Sequence, residues 1–302
     1  APRRTVLDKI LVDAAARAGA EVRERFTVED LLFEDGAVVG LRGRDATGCP
    51  VVERARVVVG ADGWNSRVAR AVRPEQYDDK PMLENAFYTF WSDLPVDSFA
   101  TTIRGDRAFA AIPTNDDLTL LLVGFPYRDA AMFKTDVEAN YLAALDREPA
   151  FAERVRHARR EARFAGGGVP NFFRKPYGPG WALVGDAGYT RDPVTAQGIS
   201  DAFRDAELCA TALHEAFDGR RPFDEAMSDY HQTRDQRVRS IFEFTTQLAT
   251  LDPPPPEMQQ LLGAAQGNQA AMDAFVSVIA GTMSPLEFLH PDHVASILNP
   301  AA

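Results

Sequence analysis

Two short stretches place a carboxylate where a sugar or another diol could be held. Each is an apolar run ending in a turn of glycine and aspartate: Val57-Val58-Val59-Gly60-Ala61-Asp62-Gly63, and Trp181-Ala182-Leu183-Val184-Gly185-Asp186-Ala187-Gly188. A short strand that is apolar on both faces reads as a buried parallel strand, and ligands gather at the carboxyl ends of such strands. An aspartate there accepts two hydrogen bonds from a diol, while adjacent glycines let a ligand chain pass close to backbone. Taken singly, either motif is also ordinary turn chemistry. Together, each running on towards a helical pattern, they point to a ligand crevice.

The other chemistry-bearing residues read more plainly. His290-Pro291-Asp292-His293 could suggest a metal, but the proline makes it a capped turn, and His157, His214 and His231 have no ligand spacing. No metal site is expected. Arg154, Arg156, Arg159, Arg160 and Arg163 alternate with Glu153 and Glu161, as a solvated face does; docking of a dinucleotide phosphate is the alternative. No nucleophile elbow is visible, and no side chain demands a catalytic role. Cys49 and Cys209 stand far apart in unlike contexts, so no disulfide framework is expected and a reducing cytoplasm is the expected location.

The positioning elements follow from spacing and composition. The chain has 302 residues, 45% hydrophobic and 25% charged, which excludes a disordered or collagen-like chain. Its net charge of −11 argues against nucleic-acid and anionic-membrane binding. No apolar run approaches the roughly 18 residues of a membrane span, and Ala1-Pro2-Arg3-Arg4 leads into helical spacing without a signal-peptide core. Val6, Leu7, Ile10, Leu11, Ala14, Ala15 and Ala18 recur at helical spacing up to Gly19. Alternation predicts strands at Glu21 to Phe26, Asp30 to Phe33, Ala37 to Arg44 and Val51 to Ala55. A separate antiparallel sheet, rich in aromatics, is predicted from Ala86 to Trp91, Arg107 to Ile112 and Leu118 to Phe125. Helices are predicted over Asp136 to Asp146, Pro149 to Arg160, Thr195 to Phe217 and Pro222 to about Leu251. Gly166-Gly167-Gly168 reads as a loop, and Pro253 to Pro256 as a break before a helical tail.

Val57 to Arg67, with its Gly-Ala-Asp-Gly core, resembles the Asp-Gly fingerprint of FAD-dependent aromatic hydroxylases. Trp181 to Gly188, continuing through Asp192-Pro193-Val194-Thr195-Ala196-Gln197-Gly198-Ile199, resembles their Gly-Asp fingerprint. Arg4-Thr5-Val6-Leu7 is similar to the Arg-x-x-Leu that opens the helix before the hairpin. The resemblance, to single-component flavin monooxygenases of the para-hydroxybenzoate hydroxylase type, covers nearly the whole chain. It implies an α/β (α+β) fold: a Rossmann-like FAD/NAD(P)-binding domain, an inserted antiparallel-sheet substrate domain and a C-terminal helical region. The expected boundaries are 1–75 and 175–219 for the FAD-binding part, 76–174 for the substrate sheet and 220–302 for the helical region.

The resemblance also implies roles. Gly185 and Asp186 would hold the ribityl chain of FAD, and Pro193, Gly198 and Ile199 would lie against the isoalloxazine ring. Arg4 would reach the flavin or its phosphates, Asp62 would lie beside the ribose and pyrophosphate, and Val28 would contact the adenine. Tyr88, Phe90 and Phe109 would line the substrate pocket. The implied activity is hydroxylation of an aromatic or polyketide-like small molecule with O₂ and NAD(P)H, the cofactor carrying the hard chemistry. A flavin halogenase of this fold would use a lysine beside a tunnel, and Lys9, Lys80, Lys134 and Lys175 offer no suitable candidate. A prenyl-type reductase is similar in Asp192-Pro193 and Gln197-Gly198, and a fragment that no longer binds FAD is the non-enzymatic alternative.

Some features depart from the family pattern. No Gly-x-Gly-x-x-Gly turn occurs, Ala69 stands where the first fingerprint ends in arginine, and Thr195-Ala196 stands where relatives carry glycine-rich residues. The expectation is therefore an N-terminally truncated chain, with a missing segment or a partner chain completing the FAD site. The strands at Val57 and Leu183 would then lack their middle neighbour and expose unpaired edges.

Overall fold

Helical spacing at the N-terminus becomes α1 (Arg4–Arg17), closed by Gly19 at φ 99°, in the computed structural model, which describes residues 1–299. Glu21 to Phe26 is not the strand expected of it: Arg25 takes a left-handed φ of 56° and pairing starts later. β1 (Thr27–Glu34) and β2 (Ala37–Arg44) form a hairpin over Asp35-Gly36, and β3 (Pro50–Arg54) completes a sheet in the order β1-β2-β3. β4 (Val58–Gly60) leads into α2 (Arg67–Val72), whose Ser66 cap accepts from the Ala69 N–H at 2.9 Å. Then come β5 (Gln76–Lys80), β6 (Glu84–Ser92), β7 (Ala100–Arg104), β8 (Arg107–Pro113) and β9 (Thr119–Pro126). Three short helices follow, α3 (Ala130–Phe133), α4 (Val137–Leu145) and α5 (Pro149–Val155).

Short strands occupy the next segment: β10 (Arg159–Arg160), β11 (Ala165–Gly168), β12 (Asn171–Arg174), β13 (Tyr177–Gly178), β14 (Trp181–Leu183) and β15 (Tyr189–Thr190). Long helices α6 (Gly198–Phe217) and α7 (Phe223–Leu248) lead to the proline break. Beyond it lie α8 (Pro256–Ala265), α9 (Gln269–Ala280), α10 (Pro285–Phe288) and α11 (Pro291–Leu298). The last three residues of the expected 220–302 region lie outside the described residues. No helix among those described is long and apolar enough to cross a membrane.

Contacts divide the chain into two units. One takes in Ala1–Asp30, Leu41–Arg54 and Leu83–Gly168; the other takes in Leu31–Gly40, Ala55–Met82 and everything from Val169. In the first, an antiparallel sheet runs β10-β6-β9-β8-β7, with β11 also paired to β6. One face carries Phe87, Trp91, Phe109, Leu121, Val123 and Phe125 into a core with Phe133, Tyr141 and Leu145 of the helices. The Phe125 and Phe133 rings stack at 3.7 Å, and the Tyr141 hydroxyl donates to the Leu121 carbonyl at 2.9 Å. The glycine triplet is a strand and not a loop. A Cβ on Gly166, at φ 147°, would stand 1.9 Å from the Ala86 carbonyl oxygen, so glycine is what lets β11 pair this closely.

In the second unit, β4 and β14 are direct parallel partners, with β13 antiparallel on the far side of β14. No gap lies between the strands at Val57 and Leu183, contrary to the expected missing middle neighbour; the sheet ends instead at β4. A second sheet runs β15-β12-β5. Because β5 pairs with β12, both ends of the expected 76–174 segment group with this unit. The C-terminal helices share a core with these strands, in which Phe173 and Tyr189 pack against Val238, Phe242, Val278 and Phe288. α1, expected within the FAD-binding part, groups with the antiparallel-sheet unit.

Gly180, at φ 74°, turns the chain between β13 and β14 where a Cβ would lie 1.9 Å from the Val38 carbonyl oxygen. Neither the backbone angle nor the space suits a side chain, and the Val38 N–H is held at 2.9 Å by the adjacent Pro179 carbonyl. Gly180→Ala is expected to destabilise the protein by about 2 kcal/mol or more. Urea unfolding measures it, and an unchanged midpoint would contradict the close approach.

Candidate functional site

The site-bearing turns leave one end of one small sheet. Val58, Val59 and Gly60 lie in parallel register with Trp181, Ala182 and Leu183, and the Val184 N–H reaches the Gly60 carbonyl at 3.0 Å. The turns that carry Asp62 and Asp186 therefore emerge side by side. One Arg174 amino group donates to the Trp64 carbonyl at 3.2 Å and the Ala187 carbonyl at 3.0 Å, which ties the two turns together. Asp62 has a local task as well. Its Oδ2 accepts the Arg67 N–H at 2.7 Å and so helps start α2. Asp186 is exposed within the single 3₁₀ turn Gly185–Ala187. Gly185 takes a left-handed φ of 55°, and a Cβ there would come within 3.2 Å of Ala202 on α6, so this residue permits both the turn and the close helix.

From Arg191 to Ser200 the chain alternates between anchored and presented residues. Asp192, Thr195 and Gln197 are buried, whereas Pro193, Ala196, Gly198, Ile199 and Ser200 are exposed. Each anchor has a partner. The Asp192 N–H donates to Asn171 Oδ1 at 2.7 Å, and Asp192 Oδ1 accepts the Val194 N–H at 3.1 Å. Thr195 Oγ1 meets Thr245 Oγ1 at 3.0 Å. The Gln197 side chain accepts from Arg191 at 2.8 Å and donates to the Ile279 carbonyl at 2.7 Å. The helix expected from Thr195 begins at Gly198, because Pro193–Thr195 is a 3₁₀ turn and Ala196 sits at φ 54°. The result is a rigid loop that exposes the N-terminus of α6, where helix geometry leaves backbone N–H groups without intrahelical acceptors and a partial positive charge.

Buried charge holds this loop from beneath. Asp201 accepts from Arg191 at 2.8 Å through one oxygen and from Arg204 at 2.7 Å through the other. Arg234, fully buried on α7, donates to the Gly188 carbonyl at 3.2 Å, the Arg174 carbonyl at 2.9 Å and the Tyr77 hydroxyl at 2.9 Å. Its neighbour Asp235 also meets Tyr77 and His231. Burial alone would raise the Asp235 carboxyl, but hydrogen bonds from His231 and Tyr77 and the Arg234 charge bring it down to about 2. Sequence reasoning passed over Asn171, Arg174, Arg191, Asp201 and Arg234. Asn171, Arg174 and Arg234 act across the fold on groups far away in the chain, and Arg191 and Asp201, although only ten residues apart, meet only once the loop between them has folded.

The remaining expected residues fall in the antiparallel-sheet unit. Arg4 is exposed on α1, its guanidinium paired with Asp8 at 2.7 Å, and Val28 is half-buried on β1. Tyr88 and Phe90 share a sheet face, half-buried, with their rings edge to face at 6.1 Å. Their cross-strand partners Leu122 and Leu120, followed by Ala110 and Ile112, continue an apolar surface, with the Arg3 guanidinium 5.9 Å from the centre of the Phe90 ring. Phe109 is on the other face. It pairs with Val123, is fully buried in the helix-packed core and leaves no surface for a ligand, which corrects its expected place in the pocket. The histidine-proline motif is a cap, with His290 Nδ1 accepting the Asp292 N–H at 3.4 Å. Among the arginines of the basic run, Arg156 pairs with Glu153 and Arg160 with Glu138, as on a solvated face.

Comparison with known proteins gives the family and the fold. A family model described as FAD binding domain matches residues 3–245. A probable NADH-specific resorcinol 4-hydroxylase from Rhodococcus jostii is 28% identical over 260 residues, 81% of this chain and 45% of that protein. A digeranylgeranylglycerophospholipid reductase from Methanosarcina acetivorans is 27% identical over 222 residues, 70% of this chain and 52% of that protein. The chain thus spans about half the length of these curated relatives. Among solved structures, a myxobacterial chondrochloren halogenase shares the fold with a TM-score of 0.75 at 24% identity, over 97% of this chain and 71% of that one.

Ala196 carries the strain of the loop, since a left-handed conformation costs a non-glycine residue about 1 kcal/mol. Ala196→Gly is expected to keep every anchor and to stabilise the protein by up to about 1 kcal/mol in urea unfolding. A loss of stability would mean that the loop is not held in this conformation.

Proposed function

The chain belongs to the FAD binding domain family, and from that premise we propose that the protein is an FAD-dependent monooxygenase. It takes NAD(P)H as reductant and O₂ as co-substrate, and it hydroxylates an aromatic or polyketide-like small molecule. The observation that carries the cofactor assignment is the loop from Arg191 to Ser200, whose polar side chains are spent inward while Pro193, Gly198 and Ile199 are presented outward. These residues fit a flat, electron-accepting ring: a proline and a glycine offer a surface without bulk, and a helix N-terminus favours the negative charge that reduction brings. Asp186, exposed in the neighbouring turn, suits the hydroxyls of a ribityl chain.

FAD supplies the redox and oxygen chemistry when bound; the chain's own task is to bind and orient. Asp186 and the α6 N-terminus hold the cofactor, and Arg174 keeps the turns of Asp62 and Asp186 in fixed relation. The half-buried face of Tyr88 and Phe90, flanked by leucines, suits a planar, largely apolar substrate. The proposed complement is a preceding segment or partner chain that brings a glycine-rich phosphate turn, which the 302 residues do not contain. A second reading, reduction of an isoprenoid double bond, rests on the similarity to the Methanosarcina reductase.

Product oxygen separates these readings. Incorporation of label from ¹⁸O₂ is expected for the monooxygenase, and substrate reduction under anaerobic conditions would favour the reductase. Asp186→Ala is expected to weaken FAD binding more than about tenfold, because a carboxylate–hydroxyl pair is lost. Unchanged flavin retention would move the cofactor away from this motif.

A further inference from the structure

Beneath the turn that presents Asp186 lies an acid that no part of the proposed reaction uses. Asp205, on α6, is fully buried, and its Oδ2 accepts the Gly185 N–H at 3.2 Å. Its Oδ1 has no hydrogen-bond partner among the described residues and stands 4.0 Å from the equally unpartnered Nε of Arg204. We infer that Asp205 is a positioning residue for the cofactor turn and that FAD is bound together with a proton on its carboxyl. The inference rests on the reading of the Asp186 turn as an FAD site.

Charge is finely balanced in the dry space around Asp205. On its own helix Asp205 faces Asp201, Arg204 and Cys209; from α7 it faces Tyr230 and Arg234, and from β15 Tyr189. Arg191 and Arg204 share the single carboxylate of Asp201, and Arg234 is matched by Asp235. The charged groups that act on Asp205 itself, Arg204, Arg234 and Asp201, leave one positive charge over when Asp205 is neutral and none when it is ionised. FAD brings two phosphate charges, and reduction adds a third. An anionic ligand held at this turn gains from the surplus charge and is opposed by an ionised Asp205, with little screening because the groups are buried.

Burial and the nearby Asp201 favour the protonated form in the free protein, so that the proton is held below about pH 6 and released above it. Desolvation pushes the Asp205 carboxyl up to about 6, against the pull of Arg234 and Arg204. Linkage then fixes the direction. A ligand that prefers the protonated acid raises its pKa further and binds more weakly as pH rises above about 6. The Gly185 bond explains why the group sits there at all. A neutral acid still accepts that N–H and keeps the turn in place, without the repulsion that a carboxylate would exert.

The test compares the wild-type chain with Asp205→Asn, in which the amide oxygen still accepts the Gly185 N–H and no charge can form. FAD is titrated by flavin fluorescence between about pH 5 and 8, where FAD's own groups do not change charge. The wild-type Kd is expected to rise by up to about tenfold per pH unit above about pH 6, while the variant stays flat near the wild-type value at low pH. Parallel profiles, or a flat wild type, would overturn the inference and leave the FAD site intact.

Thermal unfolding without FAD reports the same group independently. A carboxyl raised from 3.8 to about 6 contributes stability that is fully present below about pH 4 and lost as pH rises through about 6. The variant should therefore gain on the wild type as pH rises across that range. A constant difference would overturn titration of Asp205, and absence of FAD binding at every pH would overturn the cofactor reading and this coupling with it.

Discussion

Asp201, held between Arg191 and Arg204 in the first turn of α6, is the contact on which the loop from Arg191 to Ser200 depends. Its partner Arg191 also donates to Gln197, so one buried guanidinium fixes both the entry of the loop and the residue before the helix. A buried ion pair gains little over a well-packed apolar replacement, but breaking it by removing one partner costs about 3–5 kcal/mol. Such a pair is therefore better at specifying one conformation than at adding stability. That is what this loop needs, because its exposed residues have little packing of their own. The buried Asp192, Thr195 and Gln197 finish the task, each bonded to a different part of the unit: β12, α7 and α9.

A second tier joins this loop to the turn of Asp186. Arg234 on α7 and Arg174 on β12 direct their donors at backbone carbonyls, Gly188 and Arg174 for the first, Trp64 and Ala187 for the second. These bonds add to a backbone that short strands and tight turns hold only in part, and the Gly188 carbonyl also accepts the Arg174 N–H at 2.8 Å. The strands β4 and β14 are only three residues long, and the arginines make good what so short a ladder cannot provide. The arrangement is consistent with membership of the FAD binding domain family, in which the protein's contribution is binding and orientation and the cofactor's is chemistry.

Much of this was legible in the residues. Asp62, Asp186 and the stretch from Asp192 to Ile199 carry local signals, since turns and caps are chosen by neighbours in sequence, and the antiparallel sheet showed itself through alternation and aromatic content. What local patterns could not reveal were long-range partners. Asn171, Arg174 and Arg234 matter through bonds to residues up to 90, 110 and 157 positions away. Phe109 was misplaced because aromatic content marks a strand but not its face; only the register with Val123 assigns it to the core. The glycine triplet misled for a related reason: Gly166 pairs with Phe87 so closely that only glycine clears the Ala86 carbonyl, and a strand built this way has the composition of a loop.

The buried bonds set the loop from Arg191 to Ser200 in one conformation before any ligand arrives. Native-state hydrogen exchange of the ligand-free chain tests it at the amides of Val194 and Ala196, which donate to Asp192 Oδ1 and to the Pro193 carbonyl. If the buried ion pairs hold the loop, these amides exchange as slowly as those of the α6 core and through the same cooperative opening. Exchange at the rate of an open loop, with slow exchange only after FAD is added, would show that the cofactor orders the loop and would contradict the account.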